Sequence, residues 1–225
     1  MIYLNTILSQ HYPPSALAGA VRVVLGKPLR RAAPLTQLAL LGALACLPEE
    51  RRPLASALLW QSTSGPRQET IALLDEVCLG AGETMPYDFL ATQPAIAAAQ
   101  IQPFFRGLQS ATHCPLDSEG TACWLLLLTL AVNWLEEARY RQILCAQLDS
   151  SPDGASGHWL SLSNEPLENP LASLQLGTDS APGSLPDTPD LPVHLARWLQ
   201  LADSSSLQLQ SPAAAAGLAL KFIRL

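Results

Sequence analysis

Charged side chains are scarce in this sequence of 225 residues. Asp, Glu, Lys and Arg make up 14% of the chain, against about 25% in an average soluble domain, while hydrophobic residues make up 48%. The 19 acidic residues outnumber the 13 Lys and Arg, which gives a formal net charge of −6. Because nucleic acid phosphates bind to basic faces, these counts argue against a nucleic acid partner. Few charges among many apolar residues predict a large core or an apolar surface that a partner covers.

Motifs for metals and cofactors are also lacking. The five cysteines, at positions 46, 78, 114, 123 and 145, include no Cys-x-x-Cys pair. An odd count without such spacing argues against a disulfide framework and against a zinc site. Gly80-Ala81-Gly82 follows a predicted helix rather than a strand, so we interpret it as a helix stop and not as a dinucleotide-binding turn. We therefore expect no metal, no cofactor and a reducing compartment.

Long hydrophobic runs are absent as well. The strongest run, from Ala122 to Leu135, has 14 residues, whereas a membrane-spanning helix needs roughly 20. The opening residues Met1 to Asn5 show no basic stretch followed by an apolar one, so no signal peptide is predicted. These features predict a cytoplasmic protein without a membrane span, and the apolar run is interpreted as a buried helix.

What is present is an alternation of strand-like and helix-like segments. We predict strands at 2–8, 57–62, 110–114, 141–148 and 159–162, and helices at 34–47, 68–78, 94–102 and 119–138. This order predicts an α/β fold with a mostly parallel sheet flanked by helices. The Asp117 region is interpreted as a helix N-terminus, and residues 85–90 as a loop.

The sequence after residue 150 differs in composition. We predict a domain at 1–150 and a C-terminal extension at 151–225, in which 164–192 is rich in Pro, Ser and Gly. That stretch predicts a loop or a partly disordered linker. A short helix is expected at 191–201, and residues 213–225 fit either a final strand or a docking helix.

Three segments within residues 30–150 carry a resemblance to a known family. The first joins the Leu35-Thr36 helix to Ala57–Ser62 and Gly65, the second is Pro86-Tyr87-Asp88-Phe89 before an Ala-rich helix, and the third begins at Arg106-Gly107. In this order they resemble the N-terminal half of the β-ketoacyl synthases, which are thiolase-like condensing enzymes. The resemblance implies a thiolase-like half-fold. It is strongest to short chain length factor subunits of aryl polyene type II polyketide systems.

The third segment is where this family places its nucleophilic cysteine. Counted without a gap from Arg106-Gly107, that position falls at Leu116-Asp117, which has no thiol and whose acid would repel a thiolate. With a gap of about six residues, Thr121-Ala122-Cys123 would instead resemble the family's Thr-Ala-Cys. None of the four histidines lies in a segment that resembles the family's histidine motifs. We expect a non-catalytic subunit; the alternative is an acyl transferase or thioesterase that uses Cys123.

The resemblance also implies a partner. Chain length factors pair with an active β-ketoacyl synthase subunit, which supplies the catalytic groups, and the pair has access to acyl carrier protein. The interface strand would then consist of Ser110, Ala111, Thr112, His113 and Cys114. Phe104 and Phe105 would line the acyl tunnel, with core packing as the alternative for both. A scaffold that only recruits acyl carrier protein fits less well, because such carriers are acidic and this chain carries a net charge of −6.

Overall fold

A single mixed sheet runs through the protein. The computed structural model describes residues 1–80, 84–114, 124–167, 169–177, 185–201, 204–210 and 218–225. The sheet strands in these residues are Ile2–Tyr12 (β1), Ser56–Gln61 (β2), Leu108–His113 (β3), Gln142–Ser151 (β4), Gly154–Ser163 (β5), Ala172–Gly177 (β6), Leu185–Pro186 (β7), Ser206–Gln210 (β8) and Ala219–Arg224 (β9). Their spatial order is β3-β2-β4-β5-β1-β6-β9-β8-β7, so the first strand lies in the middle of the sheet.

Helices cover both faces of this sheet. They are Leu17–Leu25 (α1), Pro34–Cys46 (α2), Arg67–Leu79 (α3), Pro86–Ala91 (α4), Pro94–Ile101 (α5), Trp124–Glu136 (α6) and Leu191–Gln200 (α7). Short 3₁₀ turns occupy Glu49–Arg51 and Gln102–Phe104. No helix in the described part of the chain is long and apolar enough to span a bilayer.

Alternate residues of the central strands build two separate cores. In β2, Ala57 and Leu59 belong to the core that contains α6 and α7, while Leu58 and Trp60 belong to the core that contains α1 and α2. Successive side chains of a strand point to opposite faces, so a strand that is apolar throughout is covered on both faces. All six residues of β2 are buried, as its continuous apolar run predicted.

Helix α2 is the best-covered helix on its face of the sheet. Pro34 starts it at a position where the missing backbone N–H costs nothing, and it ends just before Pro48. Nine of its 13 residues are buried, which confirms the prediction that a helix apolar nearly all round is covered on more than one face. It packs on β1, β4 and β5 and also contacts α1 and α5.

The predicted α/β class is confirmed, and the parallel pairing lies where strands and helices alternate. Strand β2 runs parallel to both β3 and β4, with helical crossovers between them. Strand β5 instead follows β4 through the short turn at residues 152–153 and is antiparallel to it. A turn of this length can only reverse the chain, whereas parallel neighbours need a crossover of a dozen or more residues. The sheet is therefore mixed, and the predicted domain boundary at 150 falls in the β4–β5 hairpin.

Two predicted loops contain regular structure. Within 164–192, the loop prediction was wrong for Ala172–Gly177, because β6 pairs with β1 on one side and β9 on the other. Residues 86–91 form α4 instead of a loop, since Pro86 occupies the first turn and Asp88 accepts a hydrogen bond from the Met85 amide at 3.3 Å. Of the two alternatives for 213–225, the described part is a strand, β9, and α7 confirms the short helix predicted at 191–201.

The contact between Gly42 and Trp159 provides a test of this packing. A Cβ atom on Gly42 would lie 2.0 Å from Cε2 of the Trp159 ring, which is itself fully buried. We expect Gly42→Ala to lower the free energy of unfolding by about 1–3 kcal/mol, because α2 must shift away from the sheet. Gly19→Ala is the matched control, since that exposed helical position has no atom within 4 Å of the added Cβ.

The control should raise the free energy of unfolding by about 0.5–1 kcal/mol through helix propensity. Urea unfolding of the three proteins, followed by circular dichroism, measures both changes. A Gly42→Ala protein as stable as Gly19→Ala would contradict this account of the helix–sheet contact.

Candidate functional site

The carboxyl ends of β2, β3 and β4 meet at one edge of the sheet, because these strands run in the same direction. This is the edge at which open α/β sheets bind their ligands. Gln61 ends β2 there, next to Gln147 of β4, and His158 of β5 is the register neighbour of Gln147. Ser9 of β1 is in turn the register neighbour of His158. These four side chains form a polar row across four adjacent strands.

Two members of the polar row are buried on the face that α6 and α7 cover, whereas His158 is partly buried and Ser9 is exposed. Gln61 and Gln147 are each 1% exposed. The Ser9 hydroxyl lies 2.9 Å from Nδ1 of His158, close enough for a hydrogen bond. The Oε1 atom of Gln147 is buried without a hydrogen-bond partner. A buried amide oxygen without a hydrogen bond lowers stability. A bound group with an N–H or O–H could therefore donate a hydrogen bond to Gln147 Oε1.

A carboxylate beside the polar row fixes the turn that follows β2. Oδ1 of Asp149 accepts hydrogen bonds from the Thr63 amide at 2.7 Å, the Thr63 hydroxyl at 2.6 Å and the Ser64 amide at 2.8 Å. Gln147 donates to the other oxygen at 2.5 Å. The turn closes on itself where the Gly65 amide donates to the Ser62 hydroxyl at 2.8 Å, with Gly65 at a φ of +53°. Asp149 therefore joins β2 to β4 at the ligand-binding edge.

The electrostatics of this edge follow from burial and hydrogen bonding. Burial by itself would raise the pKa of Asp149, but the hydrogen bonds from Thr63, Gln147 and Ser64 outweigh it and leave the pKa below its ordinary value. Burial lowers the pKa of His158, which the nearby carboxylates of Asp190 and Asp149 oppose only in part. Asp149 is thus an anion and His158 is neutral at pH 7, so the row offers neutral donors and acceptors beside one fixed negative charge.

The thiols that the structure describes in the core are not activated. Burial raises the pKa of Cys46 to about 12, and burial followed by the proximity of Cys114 raises the pKa of Cys145. A thiol in such surroundings stays protonated and is a poor nucleophile. Leu116, Asp117 and Cys123, the three residues predicted for the nucleophile position, lie outside the described residues. In the described ranges no three His, Cys, Asp or Glu side chains are grouped so as to hold a metal ion.

The predicted interface strand is found at one end of the sheet. Ser110, Ala111, Thr112 and His113 belong to β3, and Cys114 follows directly. Among the strands that the structure describes, β3 pairs with β2 alone. His113 packs on Trp60 with ring centroids 4.6 Å apart, whereas Cys114 packs against the core on the other face. Because successive side chains of a strand point to opposite faces, His113 and Cys114 do not pair with each other. The outer backbone groups of β3 face away from the sheet, as in any edge strand.

The two predicted tunnel residues differ in burial. Phe105 is 2% exposed, belongs to the core around α2, and has the Arg52 guanidinium 6.0 Å from its ring centroid. Phe104 is only partly buried against the same core. Phe105 is therefore a core residue, which was the alternative to a tunnel role. Phe104 keeps accessible surface and precedes β3 by a few residues in the chain.

Helices α3 and α4 expose an apolar surface near this end of the sheet. The periodicity of 68–78 predicted a helix, and α3 forms there, yet none of its 13 residues is buried. Exposed fractions reach 83% for Leu79 on α3 and 63% for Phe89 on α4. We call the exposed apolar set the α3–α4 surface; it consists of Ile71, Leu74, Val77, Leu79, Met85, Phe89 and Leu90. Several large apolar side chains left exposed on two helices that contact each other are typical of an interaction site.

Sequence reasoning did not find the polar row or the role of Asp149. The sequence does contain a signal. Gln147 interrupts the apolar run 143–148, and Asp149 follows it two positions later. Alternate positions share one face of a strand, so these two side chains could have been placed together. Their partners on β2, β5 and β1 are distant in sequence, and only the strand order brings them close.

Known structures share this fold at low sequence identity. A chain of the ketosynthase ApeO in complex with its chain length factor ApeC from Xenorhabdus doucetiae is 14% identical, with a TM-score of 0.59 and 99% of both chains covered. The ishigamide ketosynthase/chain length factor is 14% identical, with a TM-score of 0.64, 91% of this chain and 84% of that chain covered. No protein-family model matches the sequence, and no curated protein is detectably similar to it.

A third similar structure is AntDE, a type II polyketide ketosynthase bound to a hexaketide and in complex with the acyl carrier protein AntF. It is 10% identical, with a TM-score of 0.60, and the match covers 100% of this chain and 99% of that chain. The likeness confirms the predicted thiolase-like fold. The resemblance found in residues 30–150 thus extends, as a fold, over the whole chain.

Replacement of Asp149 tests its role at the sheet edge. We expect Asp149→Asn to lower the free energy of unfolding at pH 7 by about 1–3 kcal/mol, since it removes charge-assisted hydrogen bonds. Because the pKa of Asp149 is depressed in the folded protein, its contribution is present above the unfolded value near 3.9 and is lost as the pH falls through the folded value. The difference from wild type should therefore shrink below about pH 4.

Urea unfolding at pH 7, 5, 4 and 3 measures this dependence. Asp153→Asn, at an exposed residue of the β4–β5 turn, is the matched control and should stay within about 0.5 kcal/mol of wild type. The difference in free energy of unfolding between wild type and Asp149→Asn could instead be the same at every pH. That result would show that the carboxylate charge does not stabilise the sheet edge.

Proposed function

We propose that this chain is a non-catalytic, chain-length-factor-like subunit that pairs with an active β-ketoacyl synthase. In this role it shapes the acyl or polyene tunnel of its partner during polyketide or fatty-acid-like biosynthesis, and it meets acyl carrier protein through the complex. The observation that carries the proposal is the unpaired β3 edge close to the uncovered α3–α4 surface. The ketosynthase and chain length factor structures with the same fold support it.

The β3 edge has the chemistry that strand pairing requires. The Cys114 amide donates to the Trp60 carbonyl at 2.7 Å, so the amides of Thr112 and Ser110 also point toward β2. Successive amides alternate in direction along a strand, and those of Ala111 and His113 therefore point outward. A strand from a second subunit could bond to these outward groups and extend the sheet, with main-chain hydrogen bonds contributing the affinity.

Two features support a non-catalytic role. Burial keeps the core thiols Cys46 and Cys145 protonated, and the polar row offers amides and a neutral imidazole rather than an activated nucleophile. The scarcity of charge fits a subunit with a large permanent interface, because such interfaces are more apolar than ordinary surface.

Proline at position 111 tests pairing through β3. Ala111→Pro removes an outward amide and leaves the amides that bond to β2 intact, so the subunit should fold but lose its partner. Ala111→Val is the matched control, because valine has a similar size and keeps the amide. Each variant is co-expressed with a type II β-ketoacyl synthase subunit, and complexes are resolved by size-exclusion chromatography with mass determination.

We expect wild type and Ala111→Val to form a stable one-to-one complex, and Ala111→Pro to weaken it at least about tenfold, or about 1.4 kcal/mol. Thermal unfolding of Ala111→Pro should stay cooperative. A wild-type chain that remains a well-behaved monomer or homodimer and ignores the ketosynthase would contradict the proposal. That result would favour the alternative, an acyl transferase or thioesterase that uses Cys123.

Replacement of the two phenylalanines tests tunnel shaping. Phe104 has accessible surface, so we expect Phe104→Ala in the complex to lengthen the products, measured by mass spectrometry of the released chains. Phe105 fills the core of its own subunit, and Phe105→Ala should lower the free energy of unfolding by about 3–5 kcal/mol. Unchanged product lengths with Phe104→Ala in an intact complex would remove the tunnel-wall role.

A further inference from the structure

A groove runs between α3 and α4 at the end of the sheet where β3 is unpaired. Its volume is about 420 Å³, and it opens to solvent. Its apolar lining comes from both helices and from the residue before α4. The lining residues are Glu69, Ala72, Leu73, Glu76, Met85, Asp88 and Ala91. The groove thus combines an apolar floor with carboxylates of one sign.

Charge in the groove is not balanced by the chain itself. Within the described part of the chain, the lining carboxylates are Glu69, Glu76 and Asp88, and no Lys or Arg is among the lining residues. Among the described residues, the ion pairs are Arg139–Glu137, Arg141–Glu165 and His194–Asp190, so none involves a groove carboxylate. Burial raises the pKa of Glu69, which a hydrogen bond to its own backbone opposes only in part. A cation placed in the groove would compensate for this desolvation.

We propose that the groove receives a basic, amphipathic segment of the partner synthase, in which Lys or Arg side chains flank apolar ones. This inference rests on the proposed function and names the second contact of the same interface. Helices that dock into grooves insert apolar side chains at helical spacing, and the flanking charges set which partner is accepted. The apolar floor and the three carboxylates match such a segment.

The position of the groove links it to the β3 edge. Helix α5 packs on β3 and also on α4, and α4 forms one wall of the groove. One helix, α5, therefore separates β3 from the wall of the groove. Strand β3 has only six residues, and a stable interface buries about 800 Å² on each side, so pairing needs additional surface. The α3–α4 surface and its groove can supply that area.

Other occupants have the wrong charge. A second copy of this chain carries a net charge of −6, and an acyl carrier protein is acidic as well. Like charges brought together at an interface cost several kcal/mol, so either partner would be repelled from the carboxylates.

Charge reversal with a neighbouring control tests the inference. Glu76→Lys places a cation in the groove, and Asp75→Lys makes the same charge change at an exposed residue of the same helix that does not line the groove. Binding of the purified ketosynthase to each variant is measured by surface plasmon resonance at 50 mM and 500 mM NaCl. We expect Glu76→Lys to weaken binding about tenfold at low salt and less at high salt, because salt screens the interaction. Asp75→Lys should change binding less than about twofold.

Carbodiimide cross-linking provides a second, independent measurement. It joins a carboxylate to a lysine in direct contact, so the wild-type complex should yield a cross-link between Glu69 or Glu76 and a lysine in an apolar–basic segment of the synthase. Equal effects of Glu76→Lys and Asp75→Lys, without a cross-link to the groove, would overturn the groove inference. If the complex still forms and Ala111→Pro still weakens it, the proposed function stands. If the wild-type chain binds no ketosynthase, the proposed function and the groove inference are both wrong.

Discussion

Hydrogen bonding of β1 on both of its edges is the interaction on which the rest of this structure depends. The strand pairs with β5 over nearly its whole length and with β6 over its first residues, so it joins strands from two distant parts of the chain into one sheet. Ile2 and Leu4 are buried in the core that also contains α6 and α7. Without β1 there would be two smaller sheets, each of four strands, with two additional unpaired strand edges, on β5 and on β6.

The continuous sheet makes the two ends of the molecule different. Toward β3, the outer strand edge has no partner among the described strands, and none of the residues of α3 is buried. At the carboxyl edge between β2 and β4, Asp149 holds the turn after β2 and the buried Gln147 keeps an unused acceptor. A partner that pairs with β3 would cover the open end and leave this edge available. This division suits a subunit that contributes surface and shape, while the reactive groups come from its partner.

Local pattern predicted the elements whose burial is nearly uniform. Helix α2 and strand β2 carry continuous apolar runs, with Pro34 and Pro48 marking the bounds of the helix, and both formed where expected. Strand β6 was missed because Ala172–Gly177 stands within a Pro-, Ser- and Gly-rich stretch. It becomes a strand through hydrogen bonds to β1 and β9, which are far away in sequence. Helix α4 was missed because its six residues are too few to show a helical period.

The sequence by itself determined the α/β class, the positions of most strands and helices, the shortage of charge and the resemblance to the ketosynthase N-terminal half. These properties depend on residue type and on spacing within a segment, which local sequence contains. Only the tertiary structure decided that β1 lies at the centre, that β3 lies at an end, and that Gln61, Gln147, His158 and Ser9 form one row. The tertiary structure also decided that no residue of α3 is buried and that Glu69, Glu76 and Asp88 line one groove. Strand order and the contacts between elements depend on which apolar faces pack against each other. Alternative packings differ in contacts between residues from all parts of the chain, which no local segment contains.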